Sequence, residues 1–301
     1  MIGIFQNQEL TSDKRHEIEE WHYQVVQKLL QNSRLKTSSG KNVNDLLQYL
    51  ESTLHIQLKD LILANYKELI NVKSKVNDGQ INEFQTNTKK PLHFFVKVYA
   101  TYRKSYGWEL VKKLGLTVCP YCNRNFINNT SRCATAQFDH FFPKIENLML
   151  ALSLYNLIPC CPQCNFIKKN QMITYSPYDE SFTTDQLLRF KPIPISADEY
   201  SIKIQSQDKI IESNISILML EDAYGMHKSL VKELYVKYLM YTDDYRKSLQ
   251  ELFSTQCPTL SMSLDEVYYG NYLTEDKYFL RPLSKLTHDI ISEIKAETDK
   301  A

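Results

Sequence analysis

Two short cysteine turns carry the strongest chemical signal in the chain. They are Cys119-Pro-Tyr-Cys122-Asn123 and Cys161-Pro-Gln-Cys164-Asn165. Each Cys-x-x-Cys turn can present two thiolates. Two turns give four sulfurs, the set that suits a closed, tetrahedral structural Zn²⁺. A lone turn of this kind could be a redox pair, but the second copy and the lack of a thioredoxin-like βαβ context argue against that. Cys160 sits beside Cys161. Cys161 is taken as the ligand because it alone reproduces the spacing of the first turn. Cys133, Cys160 and Cys257 are read as ordinary buried thiols. A metal enclosed by four sulfurs does no chemistry; it contributes folding free energy to a segment too small to bury a core. Reactive groups are therefore expected between the turns.

Between them lie Phe138-Asp139-His140-Phe141-Phe142-Pro143-Lys144 and Ser153-Leu154-Tyr155-Asn156-Leu157-Ile158-Pro159, followed by Cys164-Asn165-Phe166-Ile167-Lys168-Lys169. From Cys119 to Lys169 the sequence resembles the HNH (ββα-metal) endonucleases, in the subtype whose paired CxxC knuckles clamp the ββα unit. That pattern has an Asp-His dipeptide ending a strand, a loop, a central Asn on a second strand, and a final Asn or His opening a helix with Lys after it. The resemblance implies a metal-dependent phosphodiester hydrolase. His140 would deprotonate water near neutral pH. Asp139 and Asn165 would offer a carboxylate and a carbonyl oxygen to a catalytic Mg²⁺ or Mn²⁺, hard cations that complete their shell with water and phosphate. Asn156 would orient the His140 imidazole or hold the intervening loop. Lys168 and Lys169, three and four residues after Asn165, would reach the substrate phosphate. In a regular strand Asp139 and His140 point to opposite sides, so a bend is expected there. A second metal-binding His at the final position is absent, with Asn165 in its place, which points to a single metal ion.

Each element alone has a bland explanation. An Asp-His pair often houses a buried, satisfied histidine. An Asn after a knuckle suits a left-handed turn residue, and Asn123 holds the same position with no partner motif. Order and spacing between the knuckles favour the nuclease. A zinc-activated deaminase needs His-x-Glu and Pro-Cys-x-x-Cys, whereas His140 is followed by Phe141 and Phe142 and the spacing from Cys160 to Cys164 is wrong. The alternative reading is a non-catalytic zinc module that binds nucleic acid or a partner protein.

The elements that must hold these residues are mainly helical. Ile18, Trp21, Val25 and Leu29 recur at helical spacing, with Ser12 or Asp13 as the cap. Asn44–Asn71 is also helical, broken near His55. Asn77–Lys90 reads as a loop, and Phe94–Leu114 as a helix, basic on one side, with Gly115 as its C-cap. Period-two alternation at Tyr200–Gln205, and more loosely at Ile211–Ile217, suggests a hairpin around Gln207–Lys209. Helix is expected again from Met219 to Phe253 and over Leu283–Ile294. The fold class is α+β: a mainly helical chain with an embedded zinc-stapled ββα-metal unit. Residues 1–115 form an N-terminal helical region, 116–180 the HNH unit, and 181–301 a C-terminal hairpin plus helices.

Composition narrows the function further. Of 301 residues 43% are hydrophobic and 24% charged, ordinary globular values. Only 7 glycines occur, with no GxGxxG or GxxxxGK[ST], so ATP or NAD binding in this chain is not expected. Net charge is +1, and polyanion affinity must come from a local patch. Lys89, Lys90, Lys97, Arg103, Lys104, Lys112, Lys113, Arg124 and Arg132 supply one, with Glu109 the single acid among them. The N-terminus lacks a signal pattern and no apolar run approaches the ~18 residues of a membrane span. The chain reads as cytoplasmic, where reduced cysteines serve metals better than disulfides. DNA is the default substrate, with RNA, including transfer RNA, admitted by the resemblance. The phrases WELVKKLGLTVCPYCNRN, LALSLYNLIPCCPQCN and RPLSKLTHDI resemble HNH subunits of bacterial anti-phage systems, Septu-type and retron-linked, which pair with a separate ATPase.

Overall fold

The computed structural model describes all residues except 76–81, 88–92, 128–129, 131–134, 197–198, 258, 260–261 and 299–301. Lys89, Lys90, Arg132, Cys133 and much of the expected loop at Asn77–Lys90 lie outside the described residues. Among the described residues the chain is mostly helical with two small two-stranded sheets, an α+β fold. It divides into two compact units.

The first unit comprises Gln8–Leu116 and Ile127–Asp179. Helix α1 (Ser12–Gln31) is capped by Thr11, whose hydroxyl accepts the Lys14 N–H. Ser12 and Asp13 lie inside the first turn instead, where Asp13 complements the helix dipole. Its buried face is Ile18, His22, Val25, Val26 and Leu30. The next helical stretch divides into α2 (Val43–Ser52), α3 (Leu58–Leu63) and α4 (Tyr66–Lys75). His55 adopts a left-handed φ of 53° where the first break was expected. Helix α5 (Phe94–Lys113) buries Phe94, Phe95, Val98, Tyr99, Tyr102, Leu110 and Val111. Gly115 follows it with φ 65°, and its N–H bonds the Lys112 carbonyl. That left-handed turn favours glycine. Helix α5 packs on α1 and on a 3-10 turn, Leu148–Leu152. Buried His22 joins the three: one ring nitrogen lies 2.8 Å from the Tyr102 hydroxyl, the other 2.9 Å from the Leu152 carbonyl.

Strands β1 (Gln137–His140) and β2 (Leu157–Cys160) pair antiparallel in this unit, and α6 (Pro162–Lys168) follows directly. Pro162 at the first helical turn suits its fixed φ and missing N–H.

The second unit comprises Met1–Asn7, Thr117–Phe126 and Glu180–Ala301. A short helix α7 (Thr184–Leu187) leads into β3 (Leu188–Ser196), which pairs antiparallel with β4 (Glu199–Ser206). This corrects the hairpin. Its second strand precedes Tyr200 rather than following it, and Ile211–Ile217 is helical, in a 3-10 turn at Lys209–Ile211 and in α8 (Glu212–Ile217). The span Met219–Phe253 is three helices, α9 (Leu220–Gly225), α10 (Lys228–Met240) and α11 (Asp243–Gln256). Thr242 caps α11 by accepting the Tyr245 N–H. Helices α12 (Leu264–Tyr269) and α13 (Ser284–Thr298) complete the unit. Cys257 is exposed, not buried as expected, because α11 buries none of its residues and ends at that position; Cys160 is buried. No helix among the described residues is long and apolar enough to cross a membrane.

Candidate active site and metal centre

The sulfurs of Cys119, Cys122, Cys161 and Cys164 all lie within 4.8 Å of one another, and all four residues are buried. Four sulfurs around a tetrahedral zinc at about 2.3 Å stand about 3.8 Å apart, so the cluster fits one Zn²⁺ with no position left for substrate. Cys160 is also buried, and burial first, then the nearby Asp139 and Cys161, pushes its thiol well above the ordinary range. It remains a neutral thiol. The two asparagines after the knuckles differ in backbone: Asn123 is left-handed, with φ 47°, whereas Asn165 lies within α6.

Strand β1 presents the Asp-His pair, and its two faces meet different neighbours. Its register to β2 is unbroken, with Asp139 opposite Ile158 and His140 opposite Leu157. No bend occurs there. Successive side chains therefore diverge. Gln137 and Asp139 share the face covered by α6. The Asn165 amide donates to Gln137 Oε1, and Lys168 Nζ lies 3.0 Å from Asp139 Oδ2. Lys168 also donates to the His140 carbonyl at 3.2 Å. Asn165 and Lys168 are three apart on α6, close to one turn, so both face the strand and meet its alternate residues Gln137 and Asp139.

The opposite face of β1 meets α5. Phe138 packs so closely on it that a Cβ at Gly107 would lie 2.9 Å from the ring. The His140 ring meets Tyr99 edge-on, centroids 4.6 Å apart, and its Nε2 lies 3.1 Å from the Ala151 carbonyl. Burial first, then Lys144, with a smaller push from Lys168, pulls the His140 pKa down to about 3; the bond to Ala151 opposes them. The imidazole is thus neutral at physiological pH.

Asn156 bonds the loop rather than the imidazole. Its Oδ1 accepts the Phe142 N–H at 2.7 Å, and its Nδ2 donates to the Leu150 and Phe142 carbonyls at 2.9 and 3.3 Å. It is fully buried. The Leu148–Leu152 turn is thereby held from two sides, by Asn156 at Leu150 and by His22 at Leu152, with Ala151 between them.

Of the two lysines expected at the phosphate, Lys168 is fully buried and engaged with Asp139. Lys169 is exposed and follows the helix with φ 51°. Sequence reasoning missed Lys144, which stands in the Asp-His motif. Its ammonium lies 5.2 Å from the Tyr99 ring centre. Burial first, then Arg103, pulls its pKa down, while Asp139 opposes. Lys73 lies 5.1 Å from the centre of the Phe142 ring. Lys144 was legible as the one cation in the motif, but only the packing of α5 brings Arg103 to it.

A second group, Asp185, His288 and Asp289, has metal-ligand spacing. Lys285 already neutralises it, 2.6 Å from Asp185 and 2.7 Å from Asp289.

Compared with known proteins, residues 119–171 match the family model described as HNH endonuclease. No curated protein and no solved structure matches the chain. The matched segment contains the two knuckles, β1, β2 and α6.

Proposed function

We propose that this chain is a metal-dependent endonuclease that hydrolyses phosphodiester bonds, with DNA as the default substrate and RNA, including transfer RNA, as the second. The observation that carries this reading is the ββα arrangement. Strand β1 ends in Asp139-His140, and α6 lays Asn165 and Lys168 along one face of that strand, within the segment matching the HNH model.

His140 is the proposed general base. With Nε2 bonded to the Ala151 carbonyl, the proton of the neutral ring sits on Nε2, and Nδ1 carries the lone pair that takes a proton from water. Asp139 and Asn165 are the proposed holders of a catalytic Mg²⁺ or Mn²⁺, which would neutralise phosphate charge and the leaving oxygen. They stand on the face of β1 opposite the His140 ring, so this reading requires the substrate phosphate to lie across the end of the strand, which stops at His140. Asn156 keeps the loop that presents Ala151. Lys144, Arg103 and Lys169 supply cations for the phosphate, while Lys168 is the counter-ion of Asp139.

The test compares the protein with His140→Ala on plasmid DNA and on total transfer RNA, with Mg²⁺ or Mn²⁺. Cleavage lost only in the folded variant supports the reading and names the substrate class. Equal cleavage by both overturns it. A second reading, a non-catalytic zinc module, is favoured by one observation: Lys168 holds the carboxylate that a metal would need. It predicts nucleic-acid or protein binding with no cleavage under any metal.

A role in anti-phage defence beside a separate ATPase is supported by the three resembling phrases. It predicts that the chain co-purifies with an ATPase encoded beside it, and that the pair cleaves more than the chain alone.

A further inference from the structure

Helix α6 carries an aromatic ring that the chain itself leaves uncovered. Phe166 is 74% exposed, although it follows Asn165 directly on the helix that covers the Asp139 face of β1. Around α6 each residue turns by about 100°. Cys164 and Lys168 define the buried side, whereas Pro162, Gln163 and Phe166 are exposed. Asn165, partly buried, lies at the margin between them. The ring therefore flanks Asn165, a proposed holder of the catalytic metal. Lys169, exposed at the end of the same helix, places its ammonium 5.4 Å from the ring centre.

An aromatic ring that is largely exposed, with a cation 5.4 Å from its centre, leaves surface for a second flat partner. A flat π-system is what such a surface attracts, and base–aromatic stacking is tolerant of sequence because every base has a π-face. A backbone phosphate on one side of a nucleotide and its base on the other match Asn165 with Lys169, and Phe166, respectively. A base paired and stacked inside a duplex does not offer its face; an unpaired one does.

Resting on the nuclease reading, we propose that Phe166 forms a base subsite, stacking an unpaired nucleobase beside the scissile phosphate, with Lys169 holding the adjoining backbone. The chain would then favour single-stranded or splayed nucleic acid over perfect duplex.

The experiment measures binding apart from catalysis. A short single-stranded oligonucleotide carrying 2-aminopurine at one central position, in DNA and RNA versions, is titrated with His140→Ala. The titration is repeated with the unmutated protein and divalent metal withheld. Stacking on Phe166 quenches the fluorescence. Adding Phe166→Ala removes the quench and weakens binding roughly 5- to 150-fold, the range for one base–aromatic stack. Phe166→Trp restores both, and Phe166→Leu does not. The side chain is exposed, so these variants keep the fold, checked by an unchanged thermal midpoint. Unchanged quench and affinity in Phe166→Ala overturns the subsite, as does an equal loss on perfect duplex. Cleavage by the unmutated protein, measured in parallel, tells failure of the subsite from failure of the nuclease reading. If the protein neither cleaves nor binds, both fall.

Discussion

Lys168 and Asp139 form an ion pair 3.0 Å long in which the lysine is fully buried and the aspartate nearly so. Charges taken out of water recover their solvation only through each other and through further bonds. One further bond is from Lys168 to the His140 carbonyl. The lysine therefore neutralises the carboxylate of the proposed metal site and also fastens α6 to the strand that ends in the proposed base.

Removing the ammonium takes the charge partner from a buried carboxylate. Lys168→Met is expected to lower stability by about 3–5 kcal/mol. Added Mn²⁺ should recover more thermal stability in this variant than in the unmutated protein, because the ion can take over the neutralisation of Asp139. Thermal unfolding with and without Mn²⁺ measures this. An equal response in both proteins would remove Asp139 as a metal ligand.

Zinc should be found at one ion per chain by elemental analysis, and Cys164→Ala should abolish it. A strong chelator should lower the thermal midpoint, since binding at a four-thiolate site is coupled to folding. An unchanged midpoint together with a zinc-free protein would sink the four-cysteine assignment.

Acid should act in part through His22, beside the other buried histidines His93 and His140. Burial lowers its pKa from 6.5 to about 4, with the Leu152 carbonyl bond opposing. The unfolded chain takes up that proton below about pH 6.5, and the folded protein resists until about pH 4. Stability is thus fully present above pH 6.5 and falls as pH drops towards 4, by about 3 kcal/mol from this residue. His22→Gln should flatten that part of the curve. Denaturant unfolding between pH 7 and 4 reads it directly, and an identical slope in the variant would refute the assignment.

Gly107 should resist even alanine. Alanine in place of glycine inside a helix ordinarily gains up to about 1 kcal/mol. At this position its Cβ would lie 2.9 Å from the buried Phe138 ring. Overpacking of that kind costs about 1–3 kcal/mol, so Gly107→Ala is expected to destabilise on balance. A midpoint raised by the substitution would show that Phe138 and β1 yield at no cost.

The long helices and the knuckles were legible because their signals are local. Period 3.6 over Ile18–Leu29, and the two CxxC spacings, need no distant partner. The breaks within Met219–Phe253 were also written locally, in Thr242 with Asp243 and Asp244 after it, a cap and an acidic first turn. Strand β3 was hidden by Pro192 and Pro194, which normally argue against a strand. In a two-stranded hairpin both strands are edges, and the ladder tolerates them; its register shifts beside Pro194. Lys168 was misleading for the opposite reason. A Lys-Lys pair after a helix looks like a solvated end, and only Asp139, 29 residues earlier, makes one of the two a core residue. The Asp-His pair was found by its motif, but its grip was not: the Ala151 carbonyl becomes a partner of His140 only when Asn156 and His22 fix its turn.

Asn123 sets a limit on how this nuclease-type unit could be transplanted. Its buried amide donates to the Tyr278 carbonyl at 2.7 Å and accepts the Lys285 N–H at 3.1 Å, and its own carbonyl accepts the Leu283 N–H. These three bonds lead to residues more than a hundred positions beyond the family match, which ends at 171. A gene fragment cut at the motif's edges would expose every one of them to water and leave the first knuckle's turn without its scaffold. A graft that carries residues 278–285 along with the knuckles would keep that turn intact. The portable unit of this domain is therefore discontinuous in the gene, although its signature reads as one uninterrupted stretch.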